Sequence, residues 1–68
     1  MNEIFFLVEE DLESGYTAKA LGKSIFTNGG TLDELKINIK EAIHCHFEEG
    51  NLPKIIRLHF VKEEFLTV

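Results

Sequence analysis

Thr31-Leu32-Asp33-Glu34-Leu35-Lys36-Ile37-Asn38-Ile39-Lys40-Glu41-Ala42-Ile43-His44-Cys45-His46-Phe47 is the stretch that settles the architecture. Leu32, Leu35, Ile39, Ala42, Ile43, His46 and Phe47 recur at three- and four-residue steps, so they share one face of an α-helix. Thr31 stands just before this run and Glu34 follows three residues later. That is the spacing of a capping box, in which each side chain takes up a backbone donor orphaned at the helix start. Asp33 and Glu34 also suit the positive end of the helix dipole. Gly50 and then Pro53 read as the stop, for a helix of about 18 residues.

On the N-terminal side of this helix the periodicity changes to that of strands. Ile4-Phe5-Phe6-Leu7-Val8 is a short apolar run rich in β-formers. It ends in the polar turn Glu9-Glu10-Asp11-Leu12-Glu13-Ser14-Gly15, whose glycine can take a positive φ. Tyr16-Thr17-Ala18-Lys19-Ala20-Leu21 reads as a second strand and Gly22-Lys23 as a tight turn. Ser24-Ile25-Phe26-Thr27-Asn28 reads as a third strand, closed by Gly29-Gly30. On the C-terminal side a last strand starts near Lys54. Alternation sends Ile56, Leu58 and Phe60 one way and Ile55, Arg57, His59 and Val61 the other. The expected fold is α+β: a three- or four-stranded, mainly antiparallel sheet with one long helix packed on one face, in the order β-β-β-α-β. All 68 residues form one domain.

One helix covers one face of such a sheet. Yet the first strand is apolar on both sides, with Ile4, Phe6 and Val8 against Phe5 and Leu7. The last strand adds Ile55 and Val61 to the second face. A strand apolar on both sides is usually buried on both sides. The expected cover is a second copy of the chain, in a dimer or tetramer, with Phe5, Leu7, Ile55, Arg57, His59 and Val61 at the oligomer interface. The alternative is that residues 65–68 fold back over that face.

Size and composition lean the same way. A chain this short buries roughly 60% of its unfolded surface, so its core is marginal, and small domains usually need a staple. Cys45 is the only cysteine, which leaves no internal disulfide and suits a reducing, cytoplasmic setting. Asn2 and Glu3 do not make the basic start of a signal peptide. The apolar run at residues 4–8 is far below the roughly 20 residues of a membrane span. With twelve acidic and seven basic residues the formal charge is −5. Lys36 and Lys40 sit among Asp33, Glu34 and Glu41, so no basic patch forms to neutralise phosphates. The balance favours a basic protein as partner over nucleic acid.

Catalytic and metal readings fare poorly. His44, Cys45 and His46 are adjacent on a helix and point about 100° apart, so they do not converge on one ion. His46 is expected at the edge of the core face and Cys45 as a small, partly buried apolar residue. Cys45 lies toward the helix C-terminus, where the dipole opposes a thiolate. His59 lacks an identifiable nucleophile and orienting carboxylate. Gly29-Gly30-Thr31 precedes a helix, but Asp33 and Glu34 would repel a phosphate there. No cofactor, metal or enzymatic activity is expected.

Residues 15–47 resemble the HicB family of antitoxins and its single-domain relatives. The matching run is Gly15-Tyr16-x-Ala18, a turn glycine at Gly22, Phe26-Thr27-x-Gly29-x-Thr31-Leu32-x-Glu34, then Asn38-x-x-Glu41-Ala42-Ile43. The chain departs from the family in its short Leu21-Gly22-Lys23-Ser24 turn, where many members carry a longer, proline-bearing loop. Full-length members typically carry a C-terminal DNA-binding segment, and none is expected within residues up to Val68. The resemblance implies the toxin-facing domain alone, with a fold like a partial RNase H or double-stranded-RNA-binding domain. It implies homo-oligomers and, as partner, a small basic toxin that cleaves mRNA. On that reading Glu9, Glu10, Asp11 and Glu13 face the toxin. The alternative is a stand-alone homo-oligomeric domain that binds another protein or a small molecule.

Overall fold

The computed structural model describes residues 2–13, 15–62 and 66–68. Its elements are β1 (Glu3–Asp11), β2 (Gly15–Ala20), β3 (Phe26–Gly29), α1 (Leu32–His46), a single 3-10 turn (Glu49–Asn51) and β4 (Ile55–Val61). The strands form one sheet in the order β3-β2-β1-β4. β1 and β2 are antiparallel, as are β2 and β3, whereas β4 lies parallel to β1. The expected α+β architecture with one helix on the sheet is the one observed.

β1 runs past its apolar core into Glu9, Glu10 and Asp11, which pair with Thr17, Tyr16 and Gly15. The hairpin register carries the strand further than side-chain hydrophobicity does. At the tip, an Asp11 carboxylate oxygen accepts the Glu13 N–H at 2.9 Å, an Asx turn. Gly15 takes φ 92°, and a Cβ there would overlap the Gly29 carbonyl oxygen, so this position needs glycine on both counts. The third strand begins two residues later than its sequence suggests. Ile25 stands before it, its C=O accepting the Ala20 N–H at 2.9 Å, and its side chain enters the core.

The helix starts where the capping pattern places it. Thr31 is extended (φ −128°, ψ 165°), and its Oγ1 accepts the Glu34 N–H at 3.1 Å. This is the Thr31 half of the capping box. The other end differs from expectation: α1 has 15 residues and stops at His46. Phe47 turns extended at φ −115°, ψ 148° while its N–H still donates to the Ile43 C=O at 3.0 Å. Phe47 packs at the margin of the core, and that contact ends the helix before Gly50, which lies in the 3-10 turn.

The core is the layer between α1 and the sheet. Ile4, Phe6 and Val8 of β1 and Ala18 and Ala20 of β2 meet Leu35, Ile39 and Ile43 of α1, with Ile25 closing one end. The two alanines leave room for the helix to lie over the β2 side. Gly29 serves the same end, since a Cβ there would stand 2.6 Å from the Leu35 backbone nitrogen. Leu32, Ala42 and Phe47 flank this core, but His46 is exposed, which corrects its expected place on the core face. Cys45 is exposed too, not partly buried. The helix face is narrower than the sequence pattern because α1 meets the sheet only through the Leu35–Ile39–Ile43 row and its flanks.

A candidate protein-binding face

Side chains alternate across the strands, so the register fixes what the side away from α1 carries. β1 places Glu3, Phe5, Leu7 and Glu9 there. Beside them in the parallel ladder stand Ile55, Arg57, His59 and Val61 of β4. On the other flank are Thr17 and Lys19 of β2, then Phe26 and Asn28 of β3. Among the described residues no helix covers this side. Phe5 and Leu7 at its centre are half-buried by their neighbours alone, while Ile55 is 50% exposed, Val61 43% and Phe26 65%.

Phe5 organises the middle of the face. The Arg57 guanidinium lies 5.8 Å above its ring, and the His59 ring stands tilted at 5.4 Å. Arg57 Nε donates to Glu3 Oε2 at 2.9 Å, which tethers the guanidinium beside the Phe5 ring. Both partners of this ion pair are substantially exposed, so it contributes at most about 1 kcal/mol to stability. Its larger effect is on geometry: it fixes an aromatic and an arginine side by side, residue types enriched at protein interfaces.

All six residues expected at an oligomer interface, Phe5, Leu7, Ile55, Arg57, His59 and Val61, thus lie on one continuous strip across β1 and β4. The alternative cover is absent among the described residues: Leu66 is 92% exposed and Val68 fully so, and neither lies on the face. Phe65 falls outside the described residues. Glu9, Glu10, Asp11 and Glu13 gather at the β1–β2 hairpin end and are exposed, with Leu12 almost wholly exposed at the tip. Glu9 stands opposite Val61, so this acidic end adjoins the apolar strip.

Two features escaped the sequence reading. Phe26 joins the open face because its register against Lys19 puts it there, a pairing no local pattern specifies. Phe60 points to the helix side, as alternation says, yet is 57% exposed because α1 does not reach that end of β4. Between α1 and β4 there is a groove of about 250 Å³ lined by Lys36, Ile39, Lys40, Ile56 and Leu58. Elsewhere, His44, Cys45 and His46 all face solvent. Among the described residues no three His, Cys, Asp or Glu side chains come together as a metal site would require, and no helix is long and apolar enough to cross a membrane.

No protein-family model and no solved structure matches the chain. Two curated proteins are similar to it. A UPF0150 protein of Archaeoglobus fulgidus is 60% identical over 52 residues, covering 76% of this chain and 77% of that protein. A UPF0150 protein of Thermotoga maritima is 44% identical over 66 residues, covering 97% and 93%. At that identity, over nearly the whole length of both, the chain belongs to the UPF0150 family.

Proposed function

We propose that this chain is a non-catalytic protein-binding domain, a HicB-like antitoxin that binds and occludes a small basic mRNA-cleaving toxin. The observation that carries the protein-binding part is the sheet face without a helix, where an apolar strip is centred on a positioned Phe5–Arg57 pair. The toxin as partner rests on the motif resemblance and on charge. Glu9, Glu10, Asp11 and Glu13 form an acidic rim beside the strip, in a chain of net charge −5. An acidic rim steers a basic partner and raises its association rate. Occlusion needs only that this surface cover the toxin's RNA-binding face, so no step of chemistry is assigned to the domain. A cytoplasmic setting belongs to the same proposal, and a lone thiol at Cys45 is compatible with a reducing compartment.

Co-expression with the products of neighbouring genes, followed by isolation of what co-purifies, tests the reading. The expected result is a basic ribonuclease whose activity falls on binding, with an association rate that drops as salt rises. Reversing Glu9, Glu10 and Glu13 to lysine should slow association at least tenfold at low salt. A chain that leaves every neighbouring ribonuclease active returns the domain to the second reading, a stand-alone homo-oligomer with another partner. That reading is favoured by the same apolar strip, which suits self-association without any toxin.

A further inference from the structure

β4 presents a free edge as well as an open face. The Ile55 N–H donates to the Asn2 C=O at 3.0 Å, which fixes the phase of the strand. In a ladder, successive residues direct their N–H and C=O groups to opposite sides. Ile55, Arg57, His59 and Val61 therefore spend theirs on β1. Those of Ile56, Leu58 and Phe60 point outward, and among the described residues no strand lies beyond them. Long apolar edges are normally blunted by lysine, proline or a bulge. Residues 55–61 contain neither lysine nor proline; Pro53 and Lys62 stand just outside, as brackets.

The order of residues in β4 is symmetric about its centre. Ile55-Ile56-Arg57-Leu58-His59-Phe60-Val61 reads apolar, apolar, polar, apolar, polar, apolar, apolar from either end. We propose that β4 pairs antiparallel with β4 of a second copy, about a two-fold axis through Leu58, joining the two four-stranded sheets into one. In this register Leu58 opposes Leu58, and Ile56 opposes Phe60 of the second copy, so each outward residue exchanges both its hydrogen bonds with an outward residue. On the open face Ile55 opposes Val61, and Arg57 opposes His59. Neighbouring registers do worse. An axis at Arg57 sets two arginines against each other and Ile55 against His59. An axis at His59 sets Arg57 against Val61 and Ile56 against Lys62.

The helix side supplies a second, independent fit. Phe60 is exposed on its own chain, and the groove lined by Lys36, Ile39, Lys40, Ile56 and Leu58 lies beside Ile56. The two-fold brings Phe60 of the second copy opposite Ile56, at the mouth of that groove. At about 250 Å³ the groove is smaller than the pockets that hold drug-sized ligands and suits one side chain. On the other side of the sheet, the Ile55–Val61 contact carries the apolar strip across the seam. The pairing thus doubles the face offered to a partner and leaves it open. The inference stands on the β4 edge alone and does not depend on a toxin.

The test uses the full chain in solution. In a sample mixed from ¹³C-labelled and unlabelled protein, isotope-filtered NMR should show cross-chain contacts from the Phe60 ring to Ile56, and from Ile55 to Val61. Chemical synthesis with N-methyl-Leu58 removes one outward donor and leaves the β1 ladder whole. That chain should keep its circular-dichroism spectrum and weaken dimerisation at least tenfold in light scattering. A monomer mass for the unmodified chain up to about 100 μM, a dimer affinity too weak for its class, would overturn the proposal. So would cross-chain contacts at Phe5 and Leu7 with none at Phe60, or an N-methylated chain that dimerises as well as the original. None of these outcomes bears on whether a ribonuclease is bound, which the co-purification decides separately.

Discussion

β3 and β4 are both outer strands of the sheet, yet they meet the single helix differently. β3 is four residues long and leads straight into α1. Gly29 lets the helix backbone come close, and Asn38 Nδ2 donates to the Asn28 C=O at 2.7 Å, so a helix side chain takes up a strand carbonyl. β4 is seven residues long, and its Ile56 and Leu58 are only half-buried beneath the helix. Exposure on the helix side rises from near zero at Phe6 and Val8 of β1 to 57% at Phe60 of β4. The helix is seated over the first three strands, so the stability of the monomer concentrates there. The fourth strand keeps apolar surface to spare on its outer edge and its second face. One end of the sheet is built for folding and the other is left available for association.

Substitutions on the two sides should therefore separate. The largest effect is expected at Leu35, fully buried between α1 and the sheet. Leu35→Ala should lose about 3 kcal/mol in denaturant unfolding, a large share of a small domain's total. Leu58→Ala, on half-buried β4, should lose about half as much; equal losses would erase the contrast.

Gly29→Ala comes next. Its Cβ would meet backbone of the first helical turn, which cannot swing aside as a side chain would, so about 1–3 kcal/mol is expected. Thermal melts at matched concentration measure it, and a wild-type midpoint would mean that the helix can shift on β3. Thr31→Ala should cost about 1 kcal/mol by removing the acceptor of the Glu34 N–H. An unchanged melt would refute the cap.

The smallest effect on the monomer is expected at Phe60. Phe60→Ala should change unfolding by less than about 0.5 kcal/mol in dilute solution, since the ring is mostly exposed. It should, however, remove the rise of melting temperature with protein concentration that a dimer confers. A large loss in dilute solution would place Phe60 in the monomer's own core and blur the distinction between the two edges.

Several of these features are legible in the sequence alone. The Thr31–Glu34 spacing places the helix start because a cap is a local contact, three residues apart. Alternation in residues 55–61 assigns each side chain to a face because the strand period is two. Apolar residues on both sides of β1 announce an uncovered face because one helix has one contact surface. The misses share a cause. His46 continues the helical spacing but is exposed, Cys45 is exposed, and Phe60 alternates toward the helix without meeting it. Ile25 is buried from outside its strand. The first three depend on where the helix axis lies over the sheet, and Ile25 on the turn that its C=O closes with the Ala20 N–H; local periodicity carries no information about how elements pack.

The amino-acid sequence by itself determined the order of elements, the helix N-terminus, the two faces of β1 and β4, and the net acidity of the chain. These follow from interactions between residues close in the chain, or from composition. Only the tertiary structure decided that β4 lies parallel to β1 at the sheet's edge, that α1 sits over β2 and leaves β4 half-covered, and that Ile56, Leu58 and Phe60 turn their backbone groups outward. Those outcomes depend on strand register and on how closely the helix can approach Gly29, Ala18 and Ala20. They arise between segments far apart in the chain, where packing and hydrogen-bond pairing choose among arrangements that local sequence leaves equally open.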